Sequence, residues 1–166
     1  AMNPAAMKVN LNELEKGGIL IVNSDSFNIN DLRKAEYEEN PLDSERMLNY
    51  RLVQIPITLL TLKAVEQSGL SHREGGRCKN FFALGVVDWL YDRPISETQK
   101  WIDTKFNNRP EIAKANRLAL QAGYNYAITV ELFHERYHVP QAKMPSGEYR
   151  QITGNQAVAM GCVASS

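Results

Sequence analysis

Cysteine is scarce in this chain. Its 166 residues hold two, Cys78 and Cys162, far apart and in unlike surroundings. Such a pair does not make a disulfide framework. It fits thiols kept reduced in the cytosol, so a cytoplasmic location is expected. Two thiolates cannot by themselves hold an iron–sulfur cluster, which normally takes four. An excess of charge of either sign is also missing: 19 Lys and Arg face 19 Asp and Glu. A surface for generic nucleic-acid or anionic-membrane binding would need a basic surplus. Long apolar runs are lacking too. The longest, Phe81 to Val87, contains Gly85 and ends at Asp88, far short of the roughly 20 residues that a membrane-spanning helix takes. Ala1 to Asn10 has neither the basic start nor the unbroken apolar stretch of a secretory leader. Internal repeats and low-complexity tracts are absent. Glycine pairs occur at Gly17-Gly18 and Gly75-Gly76, and neither has the spacing of a dinucleotide or phosphate loop.

What is present is the composition of an ordinary globular domain, 43% apolar and 23% charged, long enough for one core. Asn3 to Leu14 predicts a helix with Pro4 in its first turn and with Val9, Leu11 and Leu14 buried. Ile19 to Val22 is a continuous apolar run, the pattern of a parallel strand covered on both faces. Asn23 to Ser26 turns the chain, and Asn30 caps a short helix from Asp31 to Glu39. Arg51 to Ile55 is the next strand, closed by Pro56. Thr58 caps a helix to Gln67, which Gly69 stops. Ser71 and Glu74 have capping-box spacing, as do Ser96 and Gln99. Arg77 to Tyr91 is a helix apolar on nearly all sides, expected to be buried in the domain or at a subunit interface. Ser96 to Phe106 and Pro110 to about Tyr126 complete the helices, with Ile112, Ala115, Ala119, Ala122 and Tyr126 along one side of the second. From Glu131 to Gly147 the pattern dissolves into a connector. Tyr149 to Thr153 then reads as a short strand meeting a Gly154-Asn155 corner and a small-residue helix. That is the way an α/β domain begins. Few strands among many helices is lopsided for a complete three-layer α/β domain, and a missing leading βαβ segment would account for it.

The chemistry-bearing residues each have a plain reading beside a sharper one. His134 and His138 have the i, i+4 spacing of a metal pair, with Glu131 and Glu135 nearby, but Pro140 follows at once and a solvated helix end is the simpler reading. His72 beside a cap reads as a surface residue. Cys78 near a helix start could be a reactive thiolate, but no acid–base triad can be drawn around it, and a buried structural thiol is favoured. Cys162 among Ala and Gly reads as packing. Glu36, Glu38 and Glu39 form a charged helix face. Lys100, Lys105, Arg109, Lys114 and Arg117 are interleaved with acids and make a weak case for anion binding. Asn80 enters an apolar helix; it is either a structural amide tied to a neighbouring loop or a hydrogen bond toward a cofactor-bearing partner.

Several ordered stretches resemble one family. Ala1-Met2-Asn3-Pro4-Ala5-Ala6, followed by Gly17 to Asn23, is similar to the latter part of the gamma domain of 2-oxoacid:ferredoxin oxidoreductases. Lys79-Asn80-Phe81-Phe82-Ala83-Leu84-Gly85 resembles that domain's Lys/Arg-Asn-x-x-x-Leu-Gly element. Trp89 to Pro94, Lys105-Phe106, Pro110 to Ala113 and Ala122 to Tyr126 continue the likeness. Gly154 to Gly161 resembles the start of the alpha subunit's pyrimidine-binding domain, and the order of the pieces is that of the 2-oxoglutarate type. The resemblance implies an α/β fold with a three-layer gamma domain lacking its N-terminal part over residues 1–130, an interdomain connector over 131–147, and the truncated beginning of the thiamine-diphosphate pyrimidine-binding domain over 148–166. It implies a reaction in which a 2-oxoacid, coenzyme A and oxidised ferredoxin give acyl-coenzyme A, carbon dioxide and reduced ferredoxin. Thiamine diphosphate, magnesium and an iron–sulfur cluster serve that reaction in the full complex, held mostly by the beta subunit. The partners implied are that beta subunit, ferredoxin, coenzyme A and the 2-oxoacid. Gly154 and Asn155 match a family position near the cofactor-facing side, and no contact is assigned to them. No catalytic, cofactor-binding or metal residue is assigned within this chain, and the fragment alone is expected to be inactive. The competing reading is a non-enzymatic α/β interaction or scaffold module, suggested by the absence of an acid–base cluster and by the apolar helix. Pyruvate and indolepyruvate remain open as substrates beside 2-oxoglutarate.

Overall fold

The computed structural model describes residues 1–133, 135–140 and 142–165. Two strands, β1 (Ile19–Asn23) and β2 (Arg51–Ile55), pair in parallel, with Ile19 opposite Arg51 and Asn23 opposite Ile55. The alternation of side chains across the pleat sends Leu20 and Val22 to one face and Ile21 and Val53 to the other. Both faces are covered, which is why β1 carries no polar residue before Asn23.

On the first face lie α1 (Pro4–Asn10), α2 (Ile29–Lys34) and several 3-10 turns, which enclose Met7, Leu11, Leu20, Val22, Phe27, Leu32, Leu42 and Met47. On the second face lie α3 (Ile57–Val65), α5 (Lys79–Leu90) and α7 (Pro110–Thr129), with Ile55, Ile57, Val65, Cys78, Phe82, Val86, Ala115 and Ala119 between them. The short α4 (His72–Gly75) and α6 (Ile95–Lys105) flank this layer; α6 packs Ile102 with Ala113 and Leu120. The molecule is therefore α/β with helices on both sides of a small parallel sheet, as the sequence predicts.

The connections differ from expectation in instructive ways. α1 stops at Asn10, and a 3-10 turn over Leu11–Glu13 follows. Met7 and Leu11 then share the inner side, and Val9 is 75% exposed rather than buried. α2 begins two residues earlier than predicted, capped by Asn28 rather than Asn30, and ends at Lys34. Lys8 Nζ donates to the Ala35 and Glu36 carbonyls there, and Glu36 turns left-handed with φ 58°. Glu36, Glu38 and Glu39 thus follow a helix end and form no helix face. α6 starts at Ile95 after the extended Pro94, so Ser96 already lies inside the first turn and its predicted box with Gln99 is not made. The Ser71–Glu74 box is made in both directions. Tyr149 to Thr153 pairs with no strand among the described residues. Thr153 instead caps α8 (Gly154–Ala164), with Gln156 completing the box, so Gly154 and Asn155 are the first helical turn rather than a corner. None of the α8 residues is buried. Among the described residues no helix is long and apolar enough to cross a membrane.

Candidate functional site

In parallel α/β sheets the chemistry gathers at the carboxyl ends of the strands. Here that end is Asn23, fully buried as the last residue of β1. Its amide nitrogen donates to Ser26 Oγ at 2.8 Å and to Thr58 Oγ1 at 2.9 Å, and its Oδ1 accepts from the Thr58 amide at 3.3 Å. Asp25 accepts the next amide, that of Leu59, at 2.9 Å. The start of α3 has no cap from its own flank, because Pro56 occupies the cap position. Two of its free N–H groups, those of Thr58 and Leu59, are met by Asn23 at the end of β1 and by Asp25 just after it. The predicted cap, Thr58, is instead a residue being capped. Both polar side-chain atoms of Asn23 are engaged, the nitrogen with the Ser26 and Thr58 hydroxyls and the oxygen with the Thr58 amide, which ties the end of β1 to the start of α3.

A second buried polar group is Asp88, in the last turn and a half of α5. Its Oδ2 accepts from Thr98 Oγ1 of α6 at 3.2 Å. Burial pushes its carboxyl above the usual range, while the Thr98 hydrogen bond and the Arg93 charge pull the other way. This pair ties α5 to α6. The sequence offers one signal for it, an acid inside an otherwise apolar helix.

The residues singled out from sequence are scattered. Cys78 is buried, its Sγ 3.9 Å from the Glu74 carbonyl, and burial raises its thiol pKa, which is the inert structural case. Cys162 is exposed on α8 and does not pack. Asn80 is exposed on the first turn of α5, so it is not the buried amide expected; Asn23 and Asn116 fill that description. His72 is exposed at the start of α4. His134 lies outside the described residues, so the two-histidine reading is left with His138. Its Nδ1 sits 3.5 Å from the Asp92 carboxylate. Lys100 pairs with Glu97 and Arg117 with Asp103, so these two basic side chains are matched locally by acids. Among the described residues no group of three or more metal-ligating side chains is gathered. Cys78 and Cys162 are one buried and hydrogen-bonded, the other on a separate helix. Together they would supply at most half of the thiolates a cluster needs, so the donor set does not fit an iron–sulfur centre.

Comparison with known proteins bears on what such a framework serves. Residues 1–126 match a protein family described as pyruvate ferredoxin/flavodoxin oxidoreductase. The chain is 48% identical over 165 residues to the 2-oxoglutarate oxidoreductase subunit KorA of Mycobacterium tuberculosis (strain ATCC 25618 / H37Rv), a match that takes in 99% of this chain and 25% of the relative. The chain thus spans about a quarter of the length of that curated relative. No solved structure matches it.

Proposed function

Because the chain belongs to the pyruvate ferredoxin/flavodoxin oxidoreductase family, we propose that it is the gamma-domain part of the alpha subunit of a 2-oxoacid:ferredoxin oxidoreductase acting on 2-oxoglutarate. The observation that carries this reading is the 48% identity to a 2-oxoglutarate oxidoreductase subunit, sustained over nearly the whole chain. Residues 1–130 form the gamma domain, 131–147 the connector and 148–166 the opening of the pyrimidine-binding domain. In support, α7 ends at Thr129 and α8 buries nothing against the body.

The complex oxidatively decarboxylates 2-oxoglutarate in the presence of coenzyme A, yielding the acyl thioester and carbon dioxide and passing the electrons to ferredoxin. Thiamine diphosphate, magnesium and an iron–sulfur cluster belong to the assembled complex in the cytoplasm. The two thiols of this chain fall short of the four that an iron–sulfur cluster normally takes, and among the described residues no group of three metal-ligating side chains is gathered. The chain's part is to hold shape: a sheet with a closed polar end, two tightly crossed helices, and a surface for the beta subunit. The full-length alpha chain, mixed with its beta partner, 2-oxoglutarate, coenzyme A and a viologen dye, is expected to reduce the dye. Failure to reduce the dye with any 2-oxoacid would overturn the proposal. Reduction with pyruvate alone would move the substrate and keep the reaction. The alpha chain without its partner is expected to be inactive.

A further inference from the structure

α5 ends in a Schellman turn. The Arg93 amide bonds back to the Asp88 carbonyl at 2.8 Å and the Asp92 amide to the Trp89 carbonyl at 3.1 Å. The residue that must turn left-handed is usually glycine. Here it is Asp92, with φ 52°. An aspartate tolerates this region better than most residues, at some cost. Its carboxylate is what the chain gains from the exchange. The Arg136 guanidinium meets Asp92 Oδ1 at 2.6 Å, and His138 Nδ1 is 3.5 Å from Oδ2.

The same segment makes further contacts with that helix end. Arg136 Nε donates to the Trp89 carbonyl at 3.1 Å, and its guanidinium lies 5.1 Å from the centre of the Trp89 ring. Phe133 stacks on Trp89 at 6.1 Å between centroids. The Tyr137 amide donates to the Leu90 carbonyl at 2.8 Å, and its ring packs 5.6 Å from that of Tyr91. The Tyr137 hydroxyl accepts from Arg51 of β2 at 2.8 Å. The first half of a segment that the sequence shows only as patternless is thus held by the end of α5.

We propose that Phe133, Arg136, Tyr137 and His138 form a releasable clasp on the α5 terminus, with Asp92 as its catch. The clasp makes the chain leave the body beside α5 and β2 rather than from the end of α7. Its polar contacts are partly exposed, with 40% and 47% of the Arg136 and Asp92 side chains accessible, so each is individually weak and the clasp can open. Glu131 and Leu132 stay bonded to the end of α7, so opening adds about six residues, which at about 3.3 Å each extend the reach of the following segment by up to roughly 20 Å. This inference does not rest on the proposed reaction. It concerns how whatever follows is tethered.

The test uses the full-length polypeptide, wild type and Asp92→Gly. Glycine is the preferred residue at this turn, so the variant keeps the helix end while losing the catch. The readouts are hydrogen exchange at the Tyr137 amide and tryptic cleavage of the Arg136–Tyr137 bond. Both are expected to rise at least about tenfold in Asp92→Gly, while cleavage after Arg150 stays unchanged. Arg136→Ala, read by exchange alone, is expected to match it. Equal exchange and cleavage in wild type and Asp92→Gly would overturn the proposal. So would a wild-type Tyr137 amide that exchanges as fast as an unprotected one.

Discussion

Gly85 of α5 and Gly123 of α7 form a reciprocal contact. A Cβ at Gly85 would fall far inside contact distance of the Leu120 carbonyl oxygen and 2.8 Å from the Tyr124 nitrogen. A Cβ at Gly123 would do the same to the Phe82 carbonyl. Each helix runs backbone against backbone at the point where the other lacks a side chain, and the obstruction is main chain, which cannot swing aside.

Gly85→Ala and Gly123→Ala are therefore expected to destabilise the fold. Alanine normally favours a helix by about 1 kcal/mol over glycine. Here the forced separation of two packed helices outweighs that, with a net loss of about 3 kcal/mol or more. Gly161→Ala in α8, where a Cβ meets open space, is the control and is expected to raise helicity. Urea unfolding of the three variants checks the order. The Leu-Gly at positions 84–85 was visible in the sequence as part of a family-like element, and the alanines of α7 as a packing stripe. That the two glycines belong to one crossing was not visible, because it depends on the register of two helices about 40 residues apart.

Asn23→Ala removes two donated hydrogen bonds and the acceptor for the Thr58 amide at a residue that is itself fully buried. The expected cost is about 2 to 3 kcal/mol. Thr58→Val leaves Asn23 one partner short and is expected to cost about 1 kcal/mol. Thermal unfolding followed by circular dichroism measures both. The strands themselves were readable, since an apolar run of four and its parallel mate need only local pattern. The cap was misread because the capping acceptor, Asn23 Oδ1, ends the neighbouring strand, 35 positions before the Thr58 amide that donates to it.

Asp88 gives a pH signature. Its folded-state carboxyl titrates above the ordinary value because burial disfavours the anion. The folded protein therefore holds the proton more tightly than the unfolded chain. The associated stabilisation is present below the unfolded value and is lost as pH rises through the folded one. Asp88→Asn keeps an oxygen for the Thr98 hydroxyl and removes the charge. The variant is expected to gain stability relative to wild type as pH rises from acid to neutral. Denaturation midpoints at a series of pH values test this. A difference that stays flat, or that grows toward acid, would contradict it.

The two thiols should separate cleanly. Cys162 is exposed and Cys78 buried, so a disulfide reagent is expected to label Cys162 within seconds to minutes and Cys78 only in denaturant. Sequence context misplaced Cys162. Ala and Gly neighbours suggest close packing, but they say nothing of whether a second surface is present to pack against, and α8 has none among the described residues.

The central claim is that the redox centre of the proposed oxidoreductase draws no ligand from this stretch. The most direct measurement is the electron paramagnetic resonance spectrum of the reduced, assembled enzyme carrying Cys78→Ala and Cys162→Ala together, beside its dye-reduction rate with 2-oxoglutarate and coenzyme A. The account predicts an iron–sulfur signal of wild-type intensity and a rate within about threefold of wild type, a barrier change under about 1 kcal/mol. Loss of the cluster signal in a variant that still assembles would contradict it.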